Sequence, residues 1–155
     1  MGRVELEYAM KDWLNDVLRI WDIVVIDTDD IDLGSYQYDE EIHYISMNLL
    51  NIIHLADKYS TTPLGLAHAV MSHELGHYVH YKYYNGIDMG RTEERATDEM
   101  VKTKHQLNLE IRAYNHGKEF ISDVYSHVYE ELNIQNINYY RRKLGMTEIL
   151  KECHT

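Results

Sequence analysis

The run His73-Glu74-Leu75-Gly76-His77 sets two imidazoles four residues apart, with a carboxylate beside the first. On a helix that spacing puts both rings on one face, roughly 6 Å apart at Cβ. Two ring nitrogens can then share one zinc ion at about 2.0–2.1 Å. Glu74 points about 100° further round the helix. It is poorly placed as a ligand on that face but can reach a water held by the metal. Zinc lowers the pKa of such a water toward about 7, and Glu74 can take its proton as general base. A carbonyl polarised by the metal is then open to attack, and Glu74 can return the proton to the leaving amine. The spacing points to zinc-assisted hydrolysis.

Two histidines do not complete a catalytic zinc site, which usually has three protein ligands and a water. The metzincin arrangement requires glycine at position 80 and histidine at 83; the chain has His80 and Tyr83, so it is excluded. A glutamate on a later helix is the remaining route, and Glu93, Glu94 and Glu110 are the candidates. Glu94 has Asp98 four residues on, suited to bonding a ligand imidazole. Glu93 and Glu94 both sit in a charged run, where acids in a first helical turn are ordinary. Glu110 has Ala113 and Gly117 on its own helix face. Those small residues would let its helix press against Gly76, a mid-helix glycine that costs about 1 kcal/mol relative to alanine. A tight turn over 85–91 would set Glu99 level with His77, so Glu94 undershoots and Glu110 overshoots. The helix-face argument ranks Glu110 slightly ahead and leaves the choice open.

The positioning elements follow from pattern. Pro63 after Thr62 marks a helix start, and the helix carrying the motif runs from there to about Tyr84. Residues 3–20 predict an amphipathic helix with Val4, Tyr8, Trp13, Val17 and Ile20 on one stripe. Ile23–Ile26 and Glu41–Met47 predict strands, separated by an acidic loop holding Asp27, Asp29, Asp30 and Asp32. That loop lacks the pattern of a calcium-binding EF-hand. Residues 48–59 predict a helix. Further helices are expected from about Thr92 to Gly117, over 119–132, and over 139–151 after a polar stretch from Asn133 to Asn138. His116, Tyr114, Tyr125 and His127 are candidate oxyanion stabilisers, each more ordinarily a packing or surface residue.

Composition narrows the rest. The 155 residues fit one domain spanning 1–155. The net charge of −11 argues against nucleic acid and makes a basic peptide or protein the easier substrate. The short basic cluster Arg141-Arg142-Lys143 is too small to reverse that. A single cysteine, Cys153, permits no internal disulfide, which suits a reducing cytoplasm. The opening residues carry acids where a signal peptide would carry an apolar run, and no stretch is apolar enough to span a bilayer.

His73-Glu-Leu-Gly-His77 followed by Tyr78-Val79-His80 resembles the active helix of small bacterial and phage gluzincins, distantly those of the ImmA/IrrE type. Ile42 to Asn48 looks like their edge strand, and Glu110-Ile-Arg-Ala113-Tyr114-Asn-His-Gly117 is similar to a glutamate pattern of some phage relatives. The resemblance covers roughly residues 40–117. It implies Glu110 as third ligand and a helix-rich α+β, zincin-like core with a small sheet packed on the active helix. It also implies a zinc-dependent endopeptidase with a narrow protein substrate, cytoplasmic in a bacterium or phage-infected cell. A zincin-fold binding protein without turnover, sequestering a host protein, is the alternative. A hydrolase of small amides or esters would use the same chemistry.

Overall fold

The computed structural model describes residues 1–83 and 98–149. It is a helix-rich α+β fold with a three-stranded mixed sheet. Helix α1 (Arg3–Asp12) runs into a π-helical turn, Trp13–Val17. Strands β1 (Ile23–Asp27), β2 (Gly34–Asp39) and β3 (Ile42–Met47) follow. Then come α2 (Leu49–Leu55), α3 (Pro63–Tyr83), α4 (Glu99–Gly117) and α5 (Ser126–Lys143).

Helix α3 is the axis of the molecule. Its start is capped as the sequence predicts: the Thr62 hydroxyl accepts from the Gly65 N–H at 3.1 Å. Leu66, Ala67, Met71 and Leu75 are all fully buried, so no polar stripe divides this part of the helix. It packs against α1, α2, α4, α5, β2 and β3.

The sheet order is β1-β3-β2. Strand β3 is therefore central, parallel to β1 and antiparallel to β2, with Ile45 facing both Val25 and Tyr36. This corrects the expectation that Ile42 to Asn48 forms the edge. The second half of the supposed acidic loop supplies the missing strand. Gly34-Ser-Tyr-Gln-Tyr-Asp39 alternates small or aromatic residues with polar ones, and Tyr36 and Tyr38 turn toward Tyr81 on α3. Strand β2 returns into β3 through a two-residue turn, with Glu40 and Glu41 both at positive φ (44° and 73°). The outer edge of β2 has no strand partner among the described residues.

Two helical expectations also change. The buried stripe of α1 is Leu6, Met10, Trp13 and Leu14, whereas Val4, Tyr8 and Val17 face solvent. Both stripes fit helical spacing; the one that met the core was decided by the sheet and α3. Residues 126–143 form one helix, not two segments divided at Asn133 to Asn138. Asn133 and Asn138 are buried and hydrogen-bonded, so they cost the helix little. Among the described residues, no helix is long and apolar enough to cross a membrane.

Candidate metal centre

His73 and His77 lie on one face of α3 with ring centroids 4.9 Å apart. Across from them, α4 supplies Glu110. Its Oε2 lies 2.9 Å from His73 Nε2 and 2.9 Å from His77 Nε2. The three side chains are buried and form a group that could hold a metal ion. The acidic residues Glu93 and Glu94 lie outside the described residues.

Helix-to-helix contact explains why Glu110 reaches the histidines. A Cβ on Gly76 would sit 1.9 Å from the Ala113 carbonyl oxygen, and one on Gly117 would sit 2.4 Å from that of Ser72. The helices are in backbone contact at both points, so only glycine fits. The small-residue face read from the sequence is this contact. Its register pairs position 76 with 113 and 72 with 117. That differs from a tight turn over 85–91, which would have brought Glu99 level with His77. Helix α4 begins at Glu99 with Asp98 as its N-cap; the start expected near Thr92 lies outside the described residues.

Two further residues hold these side chains in place. Asn133 on α5 donates through Nδ2 to the Tyr129 carbonyl at 2.8 Å, and its Oδ1 lies 2.6 Å from His73 Nδ1. The first bond fixes which way the amide faces. Oδ1 must therefore accept, and His73 Nδ1 must carry the hydrogen. His73 Nε2 is left to face Glu110. On α4, Gln106 Nε2 donates to Glu110 Oε1 at 3.4 Å, which leaves Oε2 between the histidines. The sequence reading missed Asn133 because it sat in an apparent linker. The spacing of Tyr129, Asn133, Asn136 and Tyr140 would have revealed one helix face.

Electrostatics tests whether a metal fits. Burial by itself would lower the His73 pKa, but the Glu110 hydrogen bond and the nearby charges of Glu74 and Glu110 outweigh it and raise it. Burial pushes Glu110 up, and its bonds to His73 and His77 pull it down further, well below the ordinary carboxylate range. A bare imidazole lone pair cannot lie 2.9 Å from a carboxylate oxygen without a cation between them. That cation is a proton or a metal ion. Ligand atoms on a tetrahedral zinc lie roughly 3.3 Å apart, from bonds of about 2.0–2.1 Å. A few tenths of an ångström of spreading would admit the ion. The donor set of two imidazoles and one carboxylate suits zinc chemically.

Comparison with protein-family models, with curated proteins and with solved structures finds no match to this chain.

Beside the three ligand side chains lies a cleft of about 250 Å³. Besides His73, Glu110 and Asn133 it is lined by Asp32, Leu33, Gly34, Val70, Glu74, Leu132, Asn136 and Tyr140. Glu74 is 6 % exposed, and its carboxylate pKa is raised, first by burial and then by the charges of Glu110 and Asp32, against the opposing pull of His73 and His77. A Cβ on Gly34 would meet Val70 Cγ1 at 2.5 Å and Glu74 Cγ at 3.2 Å, so β2 starts directly over this carboxylate.

The four candidate oxyanion stabilisers are elsewhere. Tyr114 donates to Glu130, Tyr125 packs on His68, His116 stacks on His80, and His127 lines a separate hollow with Asp57 and Thr61. None lines the cleft; Tyr140 does. His80 is buried against His116 and Arg112 rather than facing Glu110.

Proposed function

We propose that this chain is a zinc metallopeptidase of the gluzincin type, built on a zincin-like core and distantly related to the ImmA/IrrE peptidases. The observation that carries the reading is the convergence of His73 Nε2, His77 Nε2 and Glu110 Oε2 next to a buried Glu74. A structural ion pair needs one histidine and one acid. It gives no reason for a second acid, desolvated in the wall of an open cleft.

In this reading His73 and His77 hold the ion through Nε2 and Glu110 holds it through Oε2. Zinc bound there would polarise the scissile carbonyl and acidify a water. Glu74 accepts the proton of the attacking water and delivers it to the amine nitrogen that leaves. Its raised pKa suits that exchange, since a base working near neutral pH must both take and release the proton. Asn133 keeps His73 in the tautomer that presents Nε2. Tyr140 is the hydroxyl we assign to the developing oxyanion. An extended peptide adds to the open edge of β2, in place of the central strand β3, and so passes over Gly34 and Glu74. The single cysteine supports work in a reducing cytoplasm.

Glu74→Gln is the direct test. The variant is expected to bind one equivalent of zinc, measured by atomic absorption, and to lose at least about a hundredfold in peptide turnover. Undiminished cleavage would remove Glu74 from the mechanism, and a protein that never retains zinc would remove the metal.

A further inference from the structure

The cleft beside the metal ligands has a charge pattern that the hydrolytic reading does not use. Of the acids in the loop before β2, Asp27 and Asp29 are both paired with Arg3. Asp32 lines the cleft, is exposed, and has no ion-pair partner among the described residues. Among the described residues, no Lys or Arg lines the cleft. The basic cluster at the end of α5 is engaged elsewhere: Arg141 donates to the Thr147 carbonyl, Arg142 pairs with Glu148, and Lys143 lies over the Tyr139 ring.

Zinc bound there would bring two positive charges against the carboxylates of Glu110, Glu74 and Asp32, leaving one negative charge in excess when all three are ionised. Its lining is apolar at Leu33, Val70 and Leu132 and polar at Asp32 and Asn136. A cavity of about 250 Å³ is smaller than the roughly 300–1,000 Å³ that encloses a drug-sized ligand, and suits one side chain. The side chains that bury an apolar stem and keep a cationic head at a polar rim are lysine and arginine.

We propose that Asp32 is the specificity-determining residue of this site and selects a substrate with Lys or Arg beside the bond held over Glu74. This rests on the peptidase reading above. The methylene stem lies along Val70 and Leu132, and the ammonium or guanidinium group meets Asp32 as a charge-assisted hydrogen bond. Asp30, two residues away, lines no part of the cleft and plays no role in selection.

The test uses the full-length, zinc-loaded protein and a peptide library varied at one position, with products read by mass spectrometry. The wild type is expected to favour Lys and Arg. Asp32→Asn should lower the kcat/KM ratio of a Lys peptide to its Met counterpart by about tenfold, and Asp32→Lys should turn the preference toward Glu. The ratio cancels any change in the basicity of Glu74 that affects all substrates alike. A second arm measures binding of the same Lys and Met peptides to Glu74→Gln by fluorescence anisotropy, with and without Asp32→Asn. Cleavage without basic preference, or a preference that survives Asp32→Asn, overturns the assignment while the peptidase reading stands. If nothing is cleaved, the peptidase reading fails. Asp32 then stands as a selector only if Lys peptides bind more tightly and Asp32→Asn abolishes the difference; equal binding overturns it too.

Discussion

At the residue scale, the centre depends on orientation as much as on ligand identity. Asn133 is 1 % exposed and is locked between the Tyr129 carbonyl and His73. Asn133→Ala should therefore weaken zinc binding by about ten- to a hundredfold, read by competition with a chromophoric chelator. Asn133→Asp keeps an acceptor facing Nδ1 but sets its second oxygen against the Tyr129 carbonyl, so it should recover only part of that loss. Equal affinity for Asn133→Ala and the wild type would show that His73 needs no outer partner. His73, Glu74 and His77 were legible in the sequence because helix geometry alone relates them. Asn133 was not, since a hydrogen-bond acceptor can come from any packed element and leaves no spacing relative to the motif.

At the element scale, two backbone features make separate predictions. The Gly76–Ala113 contact sets the height of Glu110 against the histidines. Gly76→Ala would place a methyl group 1.9 Å from a carbonyl oxygen, so α3 and α4 must separate. Overpacking of this kind costs about 1–3 kcal/mol; chemical denaturation should show it, and zinc affinity should fall with it. A variant with full affinity would mean Glu110 follows α3 regardless of that contact. The β2–β3 turn uses Glu40 and Glu41 at positive φ, where Asn-Gly is favoured. Replacing the pair by Asn-Gly should stabilise the fold by about 1 kcal/mol or more, visible as a rise in Tm. Strand β2 escaped the sequence reading because its acidic approach resembled a loop and its tyrosines stand in for aliphatic residues. The stripe on α1 was misread because two apolar faces compete along the helix. Helix α3, with its cap and its run of apolar residues, was legible almost end to end.

At the scale of the whole molecule, a metal bound at this group would tie together elements far apart in sequence. It would be held by α3 and α4, with α5 behind it through Asn133. A ligand that binds only the folded state adds about 4.1 kcal/mol when present at 1,000 times its Kd. For a chain of this size that is a rise in Tm of roughly 10 °C. Chelation should reverse it, and zinc should restore it. A Tm indifferent to both would place the ion outside the folded core. The balance of helix and sheet was readable from pattern and resemblance. The strand order was not, because a crossover connection depends on packing that no local pattern records.

The open edge of β2 carries a cost for handling the protein. Among the described residues no strand pairs with that edge, and its backbone amides would accept another copy of the chain as readily as a peptide. Self-association through it should grow with concentration and, in the peptidase reading, recede when a peptide occupies the edge. The polar residues Gln37 and Asp39, which face outward from β2, are the natural brakes on such stacking. Removing their polarity to improve crystals or expression would push the protein toward filaments, so the strand edge sets the conditions under which the chain can be stored.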